Sequence, residues 1–113
     1  MDNFTRHTDD FATCGQITPD DIPALAAQGF RTLINNRPDL EGGPAQPTSA
    51  ALAEAAAAHG LAYIHIPVIS GQPPSAEQAA TMRRAIDSAE APVLAFCRSG
   101  ARSTNLWNSA LAR

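Results

Sequence analysis

Val93-Leu94-Ala95-Phe96-Cys97-Arg98-Ser99-Gly100-Ala101-Arg102-Ser103-Thr104 decides how this chain is read. A short apolar run leads into a cysteine, a small-residue loop with a glycine follows, and a helix is expected over Ala101 to Arg113. That order describes a strand, a tight loop and a helix N-terminus, with a thiol where the strand ends. Backbone N–H groups of such a loop converge on one point, and the helix dipole adds partial positive charge there. A thiol in that field loses its proton readily, which makes Cys97 a candidate nucleophile. The same donors, from Ser99, Gly100, Ala101 and Ser103, together with Arg98 and Arg102, suit a tetrahedral oxyanion or a thiosulfate-like group.

The rest of the chain reads as a scaffold for this loop. Its 113 residues make one domain, 1–113, large enough for a single core. A net charge of −3 and a pI near 5.4 point away from nucleic acid and anionic membranes. No apolar run reaches the length of a membrane span, and two cysteines make no secreted disulfide framework. A cytoplasmic, reducing setting is the expectation. No His or Cys pair has metal-ligand spacing, so no metal or other cofactor is expected.

Working outward, Phe4 to His7 and Phe11 to Gly15 form a small edge hairpin. Thr18-Pro19-Asp20-Asp21 opens a helix that ends at Gly29. Phe30 to Asn36 is a strand, followed by the loop Arg37 to Pro44. Thr48 or Ser49 caps an alanine-rich helix to about His59, and Leu61 to Val68 is the next strand. Ser70 to Pro74 is a second loop. Ser75 and Gln78 make a capping box for a helix with Ala79, Met82, Ile86 and Ala89 on one face. Strands alternating with helices predict an α/β fold: a three-layer, mainly parallel sheet of four or five strands with helices on both faces. Ligands of such sheets bind beyond the carboxyl ends of the strands, so Arg37–Gly43, Ile69–Pro74 and Cys97–Arg102 should meet.

Gly15-Gln16-Ile17-Thr18, the run Gly29 to Asp39, Tyr63-Ile64-His65-Ile66-Pro67-Val68 and Cys97-Arg98-Ser99-Gly100-Ala101-Arg102-Ser103 together resemble one family. It is the phosphatase-like domain named after the bacterial β-lactamase-hydrolase-like proteins. The resemblance implies the fold of the dual-specificity cysteine phosphatases. It also implies a metallo-β-lactamase-type sulfur dioxygenase as a partner, since some relatives carry one, and it leaves open whether sulfur or phosphate is transferred.

Three features separate those chemistries. Four residues stand between Cys97 and Arg102, one fewer than in cysteine phosphatases and matching many rhodanese-type sulfurtransferases. The loop after Val68 holds no carboxylate where dual-specificity phosphatases keep their acid, which leaves Asp39 or Glu41 as substitutes. Phe96 stands where phosphatases place a histidine. The leading expectation is therefore a sulfurtransferase passing sulfane sulfur through a Cys97 persulfide, on a small sulfur-containing substrate. The alternative is a phosphatase acting on a phosphorylated substrate through a Cys97 phosphocysteine, with Asp39 or Glu41 as acid. A non-catalytic anion-binding or partner-docking module is the third reading. Arg37 either orients the loop or pairs with Asp39 or Glu41. Cys14 is either a resolving thiol for Cys97 or a core cysteine, and Trp107 should pack on the sheet.

Overall fold

The computed structural model describes residues 3–111, so Met1, Asp2 and the end of the expected last helix, Ala112 and Arg113, lie outside the described residues. Five strands and four helices follow in the order β1 (Phe4–Thr8), β2 (Phe11–Cys14), α1 (Ile22–Ala27), β3 (Thr32–Asn35), α2 (Ser49–Ala58), β4 (Ala62–His65), α3 (Ala76–Ser88), β5 (Val93–Phe96) and α4 (Ala101–Leu111). The sheet order is β1-β2-β5-β3-β4, antiparallel only in the β1–β2 edge hairpin. The fold is the α/β arrangement the alternation implies, and the last strand in sequence is the central one in space.

Side-chain alternation explains why both faces need helices. Ala12, Cys14, Leu33, Leu94 and Phe96 point to one side, where Ile22 and Leu25 of α1 and Leu52 and Ala56 of α2 cover them. Phe11, Ile34, Val93 and Ala95 point to the other, under Met82 and Ala85 of α3 and Leu106 and Ala110 of α4. β5 is therefore buried along its whole length. Two strands are shorter than their apolar runs predict. Ile66 and Val68 still donate to the carbonyls of Asn35 and Asn36, so the chain beyond β4 stays tied to β3 as it leaves the sheet. The helix expected from Pro19 begins as one tight turn, Pro19–Asp21, before α1 proper. The Ser75–Gln78 capping box and the Thr48 cap are present as read. Among the described residues no helix is long and apolar enough to cross a membrane.

The hairpin is fastened to α4. Trp107 stacks on Phe11 at 5.1 Å, and His7 lies 4.9 Å from Trp107. A polar chain runs beside this stack: His7 Nε2 to Thr13 Oγ1 at 2.8 Å, Thr13 to Thr104 at 3.0 Å, and Thr104 Oγ1 to the Gly100 carbonyl at 2.9 Å. A carbonyl only accepts, so Thr104 spends its one proton on Gly100, Thr13 donates to Thr104, and His7 donates from Nε2. Thr104→Val removes two links of this chain and should cost about 1–2 kcal/mol in urea unfolding, with Thr104→Ser recovering most of it. A valine variant as stable as the parent would show that the chain does not hold the hairpin.

Candidate active site

β5 delivers Cys97 to the carboxyl edge of the sheet, where its N–H donates to the Cys14 carbonyl at 3.4 Å. The chain then turns back over β2. Gly100 has φ of +93°, and a Cβ there would sit 3.2 Å from the Cys14 carbonyl oxygen, so a side chain would be strained by the backbone and crowded against Cys14. Gly15 passes equally close beneath, with Gln16 N–H donating to the Arg98 carbonyl at 3.3 Å. This turn aims N–H groups at the thiol. Gly100 N–H reaches Cys97 Sγ at 3.1 Å, and those of Ser103, Ser99 and Arg102 close on the same sulfur. Burial pushes the Cys97 thiol up, but the backbone donors outweigh it and hold its pKa below the ordinary value. Cys14 is the contrast: burial, reinforced by the charge of Cys97, pushes it up to about 12. It keeps its proton and packs as a core residue.

Arg102 and Arg37 are governed by one carboxylate. Glu41 Oε2 accepts from Arg102 Nη1 at 2.7 Å, and Oε1 accepts from Arg102 Nη2 at 2.7 Å and from Arg37 Nε at 2.9 Å. Arg102 Nη1 also donates to the Val68 carbonyl at 2.9 Å, while Arg37 Nη1 donates to Gln16 at 3.2 Å. Both protons of Nη1 and one of Nη2 are thereby engaged. The Nε–H and the second Nη2–H form the opposite fork of the guanidinium, and the Arg102 side chain also hydrogen-bonds Cys97, so the donors that Glu41 leaves serve the nucleophile and an anion bound over it. Hydrogen bonding from Arg102, added to that from Arg37, holds the Glu41 carboxyl down at about 2. Leu40, at φ of +65°, makes the turn that sends Glu41 back to the arginines and leaves its own side chain in solvent. A left-handed leucine costs about 1–2 kcal/mol, strain of the kind found beside functional sites.

The three loops do meet. Arg37, Glu41, Gly42, Ser70 and Arg98 surround a cavity of about 380 Å³, and a neighbouring one of about 570 Å³ lies between Ser70–Pro73 and the loop from Arg98 to Arg102. Arg98, Ser99 and Ala101 are exposed there, and Gly100 is buried. Ser103 Oγ is buried with no partner among the described residues. Asp39 points elsewhere: its Oδ1 accepts from Ser49 N–H at 2.8 Å, at the N-terminus of α2. His65 donates from Nε2 to the Arg37 carbonyl at 2.9 Å, an edge-strand role. Among the described residues no group of His, Cys, Asp or Glu could hold a metal ion. The Arg37–Glu41 pair, one of the alternatives the sequence offered, is present. Gln16 as a partner of Arg37 carries no local signal, and the sharing of Glu41 with Arg102 depends on the Leu40 turn.

Residues 3–113 match the model of the beta-lactamase hydrolase-like protein, phosphatase-like domain, and the chain belongs to that family. The beta-lactamase hydrolase-like proteins of Agrobacterium fabrum and Xylella fastidiosa are 40% and 41% identical to it, over 82% and 85% of this chain. The chain spans only about a fifth of those relatives' length, 21% and 22%. A Neisseria meningitidis protein, nma1982, provisionally named a phosphatase, is 33% identical with a TM-score of 0.82, covering 90% of this chain and 71% of its own. Tk-PTP in its active form superposes with a TM-score of 0.68 at 16% identity, over 97% of this chain and 81% of its own, a likeness of fold alone. The domain therefore has a cysteine-phosphatase-like fold. The comparisons side with the phosphatase alternative over the sulfurtransferase expectation, which they do not confirm.

The two thiols should separate on titration. Thiolate ultraviolet absorbance should rise in one step below the ordinary cysteine pKa of about 8.5, absent in Cys97→Ser, and in a second far above it. A single step near the ordinary value would contradict the cradle. Glu41 titrates low in the fold, so its stabilising contribution is full above the ordinary 4.5 and is lost as pH falls toward about 2. Over that window the melting temperature of Glu41→Gln should fall less steeply than the parent's. Parallel curves would show that the carboxylate is not tied to the arginines in solution.

Proposed function

We propose that this domain is a cysteine-dependent phosphatase for esters whose leaving group departs as a stable anion. The observation that carries the proposal is the Cys97 sulfur at the centre of converging backbone N–H groups, beside an arginine that Glu41 orients and whose side chain hydrogen-bonds the same sulfur. The phosphoryl oxygens take the loop N–H groups and the Arg102 donors that Glu41 leaves, which hydrogen-bond Cys97 before substrate arrives. Cys97 thiolate attacks phosphorus: an S–P bond forms, the P–O bond breaks, and the leaving oxygen takes the electron pair. Water then attacks the phosphocysteine, releasing inorganic phosphate and returning the thiolate.

Restriction to good leaving groups comes from the acids. A donor to the leaving oxygen must hold a proton and point at it. Glu41 is ionised and occupied by two arginines, Asp39 caps α2, and the Ser70–Pro74 loop contains no acid. In this reading Glu41 orients Arg102, and Asp39 braces the loop that carries Glu41.

The missing acid and the short loop also favour a second reading, sulfane-sulfur transfer. Cys97 thiolate attacks the outer sulfur of a thiosulfate or persulfide, an S–S bond forms, the donor's own S–S bond breaks, and sulfite or a thiolate leaves without needing a proton. An acceptor thiol or cyanide then takes the outer sulfur. The longer relatives leave room for a partner domain, and a sulfur dioxygenase there would suit this reading.

Hydrolysis of aryl phosphates of graded leaving-group acidity, measured beside sulfite release from thiosulfate, tests the choice. The proposal expects Cys97-dependent phosphatase activity that falls steeply with leaving-group basicity and changes less than about threefold in Asp39→Asn, well short of the 10²–10⁴-fold typical of a lost acid. A shallow dependence abolished by Asp39→Asn would restore Asp39 as the acid. Sulfite release alone would establish the second reading.

A further inference from the structure

The mouth of the site holds Arg37, Arg98 and Arg102, and two of them are already spoken for. Arg37 and Arg102 share Glu41, at 2.9 and 2.7 Å. Arg98 follows the nucleophile directly in sequence, is exposed, and has no side-chain partner among the described residues. Its side chain stands between the cavities of about 570 and 380 Å³, and with Ser70 it lines both. Its backbone is held in place, since the Arg98 carbonyl accepts from Gln16 N–H and packs on Gly15. A fixed backbone carrying an unpaired guanidinium beside the reacting loop is a ready counter-ion for part of a substrate that is not transferred.

We infer that Arg98 selects substrates bearing a second anionic group, a carboxylate or phosphate beyond the group held by the Cys97 loop. The inference rests on the anion-cradle reading above and adds the substrate class to it. The cradle, with the Arg102 donors that face Cys97, takes the reacting anion, and Arg98 takes the distal one in either flanking cavity. Uncharged aryl or alkyl esters would use the cradle alone.

Two phosphonates of matched length test this without turnover: propylphosphonate, and 3-phosphonopropionate with its terminal carboxylate. Their affinities for the whole domain, parent and Arg98→Gln, can be read from amide chemical shifts of Gly100 and Ala101. The parent should hold 3-phosphonopropionate about fivefold more tightly, the size of one solvent-screened charge pair. That preference should shrink with added salt. In Arg98→Gln the ratio should fall to about one, and Arg98→Lys should recover part of it. Equal affinities in the parent, or a ratio unchanged in Arg98→Gln, would overturn the Arg98 assignment and leave the cradle standing. Failure of both phosphonates to bind would overturn the cradle and this inference together.

Discussion

Converging backbone N–H groups on one buried sulfur are the constraint on which this fold depends. A thiolate under the sheet edge would be costly to bury alone, since desolvation favours the neutral thiol. Donors from residues 99, 100, 102 and 103 reverse that balance, and they can do so only if the loop closes tightly. Tight closure favours glycine at Gly100, because φ there is +93° and the loop lies on the Cys14 carbonyl. It also needs β2 beside β5, which is what the edge hairpin provides. The threonine chain from His7 to the Gly100 carbonyl then fixes the loop from the helix side. Sheet order, hairpin and helix start all serve one local geometry.

A second layer of control is electrostatic. One carboxylate, Glu41, orients two arginines, and because it uses only one fork of Arg102 the side chain can also hydrogen-bond Cys97. The same contact keeps Glu41 ionised and so removes it as a proton donor. Positioning and acid catalysis are alternatives for a single carboxyl group here, and the geometry favours positioning. Arg98, outside this arrangement, is the mouth arginine without a fixed counter-ion among the described residues.

Much of this was legible in the chain itself. Alternation of apolar runs with capped helices was enough for the layers, and the thiol–glycine–arginine spacing was enough for the loop, because both are set by local chemistry. The placement of β5 at the sheet centre was not, since strand order depends on long-range pairing. Arg37-Pro38-Asp39-Leu40-Glu41 offered two carboxylates of equal standing, and only the left-handed turn at Leu40 distinguishes them: Glu41 goes to the arginines, Asp39 to α2. Thr13 and Thr104 lie 91 residues apart, so their bond had no signature in the sequence. The expectation of sulfur transfer followed from loop length, the acid missing after Val68 and Phe96 before the cysteine, features that the fold of the family does not itself decide.

The most direct test of the central claim is to quench the protein during turnover of an activated aryl phosphate and identify the modified peptide by mass spectrometry. The account predicts a phosphoryl group on the sulfur of Cys97 and none in Cys97→Ser. A phosphoryl group on any other residue, or turnover with Cys97 unmodified at every quench time, would contradict it.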